Sequence, residues 1–415
     1  MKLISASFFT TISFRQTKTA MSFLLPWNWR HIKRGAAVTE LENIFKNMHG
    51  VGCAQAFYNA RGALYHGLKA IGVNQGAEVI IQAYTCVSVA NAIIALGAKP
   101  VYGDIKLTDL NLDPNKLEPL ITSKTRVIIV QHNFGLPADL AAIKTIADQH
   151  NLKLVEDCAH SLGAKYNGRL TGSFGEFSVF SFGRDKVVSA VNGGMLITNN
   201  QELFNKLPNK LALPRTREII KNLLYPIVAL KSFHTYYLFS LGKAIITLAK
   251  NFKLIPDITS NEENNCADQR ILNYGLPDCL ATLALRELPY LDKINHHRQK
   301  LALLYYQKLN GQNFKVVRSD KLDNENIYLR CILLTTKKQS LYGYMKNHGV
   351  ILGNWYDQAV SPKKVSLPVC GYLAGSCPLA ELAAEQTLNL PNHQNITLTG
   401  AEKVIKLIQQ WQREQ

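Results

Sequence analysis

Apolar positions along this chain change period several times, and each change marks an element. Between Val38 and His49, the residues Leu41, Ile44, Phe45 and Met48 share one helical face. From about residue 56, short helices alternate with short apolar strands. Ala63–Ile71 reads as helix, Glu78–Ile81 as strand, and Val87–Leu96 as a helix closed by Gly97. Pro100–Ile105 is a further strand, and Val127–Val130 is an unbroken apolar run of the kind buried on both faces. Leu140–His150 is a helix and Leu152–Val155 another strand. This alternation predicts an α/β fold, a mostly parallel sheet covered by helices. Such sheets bind ligands beyond the carboxyl ends of their strands, so chemistry is expected just after each strand.

Two segments break the rhythm. Residues 1–39 contain no acid, carry six Lys and Arg, and include the cluster Phe23-Leu24-Leu25-Pro26-Trp27-Asn28-Trp29. Arg15 and Lys18 interrupt any secretory apolar core. A transit peptide, a segment at a membrane interface and a docked or disordered tail all fit. Residues 219–256 hold five Lys and no acid, with apolar runs too short to span a bilayer. They read as a basic amphipathic insertion that lies on an anionic membrane surface, makes a dimer contact, or packs as an ordinary hairpin. Pro277–Lys300 is helical, with a kink expected at Pro289. The expected organisation is a basic tail (1–36), a large ligand-binding domain (37–204), a helical insertion (205–262), a connecting helix (263–300) and a small C-terminal α/β domain (301–415).

Composition narrows the class. The 415 residues are 47% apolar and 19% charged, which excludes disordered, collagen-like and coiled-coil chains. The net charge of +17 suits an anionic partner, and the tail and insertion supply most of it. No helix-turn-helix or finger accompanies that charge, so nucleic acid is not an expected partner. The eight cysteines form no CxxC pair and no metal-spaced cluster, so free thiols in a reducing, cytoplasmic setting and no metal site are expected.

Three stretches carry candidate chemistry. Glu156-Asp157-Cys158-Ala159-His160 follows a buried strand, at the ligand edge of the sheet. Ser181-Phe182-Gly183-Arg184-Asp185-Lys186 lies between two strands, the second opening with Gly193-Gly194. A lysine there can be desolvated, which lowers its pKa and makes its amine nucleophilic. Asn59-Ala60-Arg61-Gly62 opens a helix, whose free N–H groups suit a phosphate. Each also has a structural explanation: a strand-end cap, a solvated surface lysine, a plain helix start.

Taken together, and in order, these stretches resemble the DegT-type nucleotide-sugar aminotransferases. These are pyridoxal 5'-phosphate (PLP) enzymes of fold type I, with a large PLP-binding domain and a smaller C-terminal α/β domain. The resemblance also rests on Ala83–Ala92, on Gly97–Val101 with Asp104-Ile105, on Gln131–Asp139 and on Asn273–Asp278, and it covers roughly 38–204 and 265–400.

The resemblance implies a homodimeric aminotransferase with shared sites, acting on a nucleotide-linked keto-sugar with glutamate as donor, in polysaccharide or amino-sugar biosynthesis. Lys186 matches the lysine that carries PLP and shuttles the proton, and Asp157 the carboxylate on the pyridine nitrogen. Ser181, Arg61 and Gly62 match the phosphate site, and Asn273 a phosphate contact given by the second subunit. The departures are also specific. His160 replaces a common Gln, and its charge is then pH-sensitive. Cys86 replaces a ring-stacking aromatic, for which Tyr84 is the substitute in reach. Arg61 replaces a Thr, and Gly275 an Arg. These changes, with the basic segments, leave two alternatives: a catalytically altered PLP-fold protein serving as a membrane-surface assembly partner, or a PLP enzyme on a membrane-associated sugar, peripheral at the inner membrane.

Overall fold

The structure is a computed structural model, and it describes residues 3–6, 9–236, 238–256, 270–311, 314–318 and 325–414. Cys266 and the last residues of the expected insertion, 257–262, fall outside them. Among the described residues all cysteines are free thiols, and no helix is long and apolar enough to cross a membrane.

The apolar runs assemble one seven-stranded sheet. Its spatial order is Cys53–Phe57, Gly194–Thr198, Phe177–Ser181, Lys153–Asp157, Thr125–Gln131, Glu78–Gln82, Lys99–Gly103. From Phe177–Ser181 to the Lys99–Gly103 edge all neighbours are parallel. Gly194–Thr198 runs antiparallel to both of its neighbours. The central strands are apolar on both faces because helices cover both. Ile80, Ile128 and Val130 pack with Leu140 and Ile143 on one side, and Val79, Ile81, Val127 and Ile129 with Leu64, Leu68 and Ile93 on the other. Helix Ala60–Ala70 is capped by Asn59. It lies close enough to the sheet that a Cβ on Gly67 would meet the Phe177 ring at 2.4 Å, so a side chain there forces the helix off the sheet.

The expected connecting helix is divided where Pro289 predicts. Asp278–Glu287 ends, Leu288–Tyr290 makes one tight turn, and Leu291–Lys308 leads into the small domain. That domain is a four-stranded antiparallel sheet, including Phe314–Val316, Cys331–Thr335 and Thr387–Leu390. The acid-free N-terminal residues pack on the protein. Ile4–Ser5 pairs in parallel with Val350–Ile351 of the small domain. Helix Phe14–Phe23 is capped by Ser13, and Ala20, Phe23 and Ile32 join the apolar core with Leu280 and Leu283. The expected insertion forms two helices, Thr216–His234 and Leu241–Asn251, of which the first buries Ile219 and Leu223.

Candidate active site

Beyond the carboxyl ends of the parallel strands lies a cavity of about 440 Å³, within the ordinary range for a small-molecule site. Six of the predicted residues line it: Arg61, Cys86, Asp157, His160, Ser181 and Lys186. Gly62, Tyr84 and Asn273 do not.

Asp157 ends its strand, and strand alternation sends it and Glu156 to opposite faces. Glu156 faces away, where its carboxylate accepts from the N–H groups of Gly172, Phe174 and Gly175. His132 pairs with it at 3.2 Å. Burial alone would raise the Glu156 pKa, but His132 and those N–H groups hold it low. With Cys158 these two side chains form the one cluster of metal-ligand types among the described residues; the carboxylate is already engaged by its donors. Asp157 instead faces the cavity. Its Oδ1 accepts from Ala159 N at 3.0 Å and its Oδ2 from Gln131 Nε2 at 3.1 Å. Gln131 is itself fixed by Thr85, whose hydroxyl donates to Oε1 at 2.6 Å. Burial pushes the Asp157 carboxyl above its usual range, opposed by the Ala159 N–H, Lys186 and Gln131.

Lys186 sits on the 182–193 loop joining two antiparallel strands. The loop is closed by Phe182 N to Gly193 O at 2.9 Å and Ala190 N to Phe182 O at 2.8 Å. Val187 and Val188 anchor it in the core. Val191, on the cavity wall, is held at φ 70°, a conformation that costs a β-branched residue free energy. Solvent reaches part of the Lys186 side chain, while burial lowers the pKa of its amine against the opposing pull of Cys86 and Asp157.

His160 does not titrate in the ordinary range. Burial, then Lys186 and Arg330, push its pKa well below 6.5. Its Nδ1 accepts from the Phe134 N–H at 3.3 Å, so the proton of the neutral ring is on Nε2. The pH-sensitive charge expected from sequence is therefore replaced by a fixed neutral donor.

The residues that miss the cavity do so for clear reasons. The Gly62 N–H is taken by its own cap, Asn59 Oδ1, at 2.7 Å. A Cβ there would meet Leu272 O at 2.7 Å, so packing requires the glycine. Tyr84 is fully buried, its hydroxyl bonded to Thr387 and its ring edge-on to Phe134 and Tyr356. It stands behind the wall and is not a stacking face. Asn273 is exposed and lies outside the cavity lining.

Sequence reasoning gave no role to Gln131, Arg330 or Tyr356, all of which line the cavity. Gln131 had a signal, a polar residue ending an apolar strand; Arg330 had one too, a charge just before the run Cys331–Leu334. Tyr356 had none. Four cations, Arg61, Arg184, Lys186 and Arg330, face two carboxylates, Asp157 and Asp185, so the cavity attracts anions.

The sequence profile of the DegT/DnrJ/EryC1/StrS aminotransferase family matches residues 17–212 and 247–409, and the chain belongs to that family. A pleiotropic regulatory protein of Geobacillus stearothermophilus is 29% identical over 88% of this chain and 85% of its own. A GDP-perosamine synthase of Caulobacter vibrioides is 26% identical over 91% and 90%. Among solved structures, ntda from Bacillus subtilis, with bound PMP, superposes with a TM-score of 0.74 at 22% identity, covering 97% of this chain and 83% of that one. The architecture is PLP fold type I, and the family's aminotransferases are PLP-dependent.

The cavity fits that cofactor on its own chemistry. A buried carboxylate can meet a ring nitrogen, a desolvated amine stands on the same cavity, and Arg61 and Ser181 line it with donors of the kind a phosphate accepts from.

Proposed function

We propose that this protein transfers an amino group from glutamate to a keto-sugar carried on a nucleoside diphosphate. The observation that carries the reading is the pairing, in one cavity, of the desolvated Lys186 amine with the buried Asp157 carboxylate. The sugar-nucleotide class is supported by the GDP-perosamine synthase relative and by the cationic lining.

In this reading PLP, when bound, supplies the electron sink for breaking a bond at the amino-bearing carbon. Asp157 holds a proton against the ring nitrogen, aimed by the Gln131–Thr85 chain. Lys186 takes a proton from the donor carbon and returns one, a task suited to an amine whose pKa is lowered towards working pH. With the cofactor bound, His160 would offer Nε2–H to its phenolic oxygen without adding charge. Ser181 and Arg61 would hold the phosphate, and the exposed Asn273 of a partner copy would complete that site in a homodimer. Arg330 takes a carboxylate or a diphosphate. Mixing the PLP-loaded protein with glutamate tests the first half-reaction: conversion to the pyridoxamine form supports the assignment, and an unchanged spectrum refutes it.

We also propose peripheral attachment to an anionic membrane surface. Leu241, Leu248 and the C-capping Phe252 are exposed on one side of helix Leu241–Asn251, successive residues about two turns and one turn apart, with Phe239 at its entry. Lys243, Lys250 and Lys253 flank them. This is the pattern of a helix lying in a lipid interface. Flotation with anionic vesicles that Leu248→Glu abolishes supports the attachment; equal flotation of both proteins refutes it.

A further inference from the structure

The family match leaves out residues 1–16 and 213–246. Both converge on the two residues that precede Lys186. Thr10 Oγ1 donates to Asp185 Oδ1 at 3.2 Å. The Thr11 hydroxyl donates to the Arg184 carbonyl. On the far side of the lysine, the Gln16 amide donates to the Ser189 carbonyl. Thr10, Thr11 and Gln16 are all buried, so these bonds are shielded from water. The Arg184 guanidinium lies 4.8 Å over the Tyr225 ring, in the unmatched helix, and donates to Pro256 O at 3.0 Å.

The same N-terminal residues hold the small domain. Ile4–Ser5 pairs with Val350–Ile351. His393 Nε2 donates to Ser5 O at 2.8 Å, and Asn395 Nδ2 donates to the carbonyls of Phe9 and Ile12. Arg330, on the cavity, is 3.8 Å from Asp185 Oδ2 and donates to Ala6 O at 3.4 Å. Asp185 is thus gripped by Thr10 on one oxygen and faces Arg330 with the other.

We propose that residues 3–6 and 9–17 act as a strap that positions Lys186. The strap fixes the loop backbone on both sides of the lysine and sets the Asp185–Arg330 pair. It also couples the loop to the small domain, so the amine keeps its aim only while the two domains keep their relative placement. Thr10, Thr11 and Gln16 are positioning residues, since none of them lines the cavity. The proposal rests on Lys186 being the reacting amine.

The test uses the full chain with Thr10→Val and Thr11→Val, which keep shape and remove the two hydroxyl donors. Hydrogen exchange of the peptide spanning residues 183–190 is read without cofactor. Exchange about 10-fold faster than wild type in this peptide, with exchange in the central strands of the large sheet unchanged, is expected. In the PLP-loaded protein kcat for the glutamate half-reaction falls about 10- to 100-fold with KM for glutamate unchanged. Thr10→Ser and Thr11→Ser restore both. Wild-type exchange and kcat in the valine protein overturn the strap, as does a loss that the serine protein fails to restore. Failure of Lys186 itself shows separately: Lys186→Ala would then leave the glutamate half-reaction intact.

Discussion

Gln131 is the residue whose replacement most sharply tests how the site is built. Gln131→Met keeps the side-chain length and removes both polar ends. Two bonds go: the 3.1 Å donation to Asp157 Oδ2 and the 2.6 Å acceptance from Thr85. A hydrogen bond to a charged group contributes about 1.5–3 kcal/mol. Losing it frees the Asp157 carboxylate to rotate and raises its pKa further, because Gln131 is one of the groups opposing the effect of burial. If that free energy is spent on holding the ring nitrogen's proton, the half-reaction with glutamate slows about 10- to 100-fold. The orphaned Thr85 hydroxyl adds about 1–3 kcal/mol of lost stability. Stopped-flow absorbance with glutamate gives the rate, and a thermal melt gives the stability. A double-mutant cycle with Asp157→Asn decides the route. The Gln131 effect vanishes in the Asp157→Asn background if it acts through that carboxylate. A rate within about twofold of wild type, or full additivity of the two substitutions, refutes the reasoning.

Three further outcomes follow from buried ionisable groups. His49 packs on Phe45 and Phe180, and neither ring nitrogen has a hydrogen-bond partner among the described residues. Burial lowers its pKa from 6.5 to about 4, so the unfolded chain takes up its proton first. The fold therefore loses stability as pH falls from 6.5 towards about 4, by at most about 3 kcal/mol. His49→Leu should flatten that part of the pH–stability curve in urea melts; an unchanged curve contradicts it. Lys186, with a pKa lowered from 10.5 by burial, costs the cofactor-free fold stability at neutral pH, and that cost disappears as pH rises past 10.5. Lys186→Met should melt higher than wild type without cofactor at about pH 7, with the gap closing at alkaline pH; a lower melting point contradicts it. His160 stays neutral down to well below pH 6.5. His160→Gln should therefore leave the shape of the kcat–pH profile unchanged, and a lost inflection near 6.5 would contradict the assignment of a neutral ring.

The large sheet was legible because its apolar runs are long and local. Val127–Val130 has no polar partner face to obscure it, and Pro289 divides the connecting helix as its missing N–H requires. The placing of Asp157 and Lys186 at the cavity was legible because one ends a buried strand and the other closely follows one. What escaped depends on partners far away in the chain. Tyr84 looked available for stacking, but Thr387, from the small domain, takes its hydroxyl and turns the ring behind the wall. The Gly62 N–H looked free for phosphate until the Asn59 cap claimed it. The N-terminal residues read as a tail because their contacts are remote: Thr10 meets Asp185, and Ile4 pairs with Val350. No periodicity records such pairings.

The most direct measurement is borohydride reduction of the PLP-loaded protein followed by peptide mapping. The account predicts one pyridoxyl group, fixed on the peptide carrying Lys186, and none after Lys186→Ala. Label on another lysine, or a colourless protein that takes up no PLP, would contradict it.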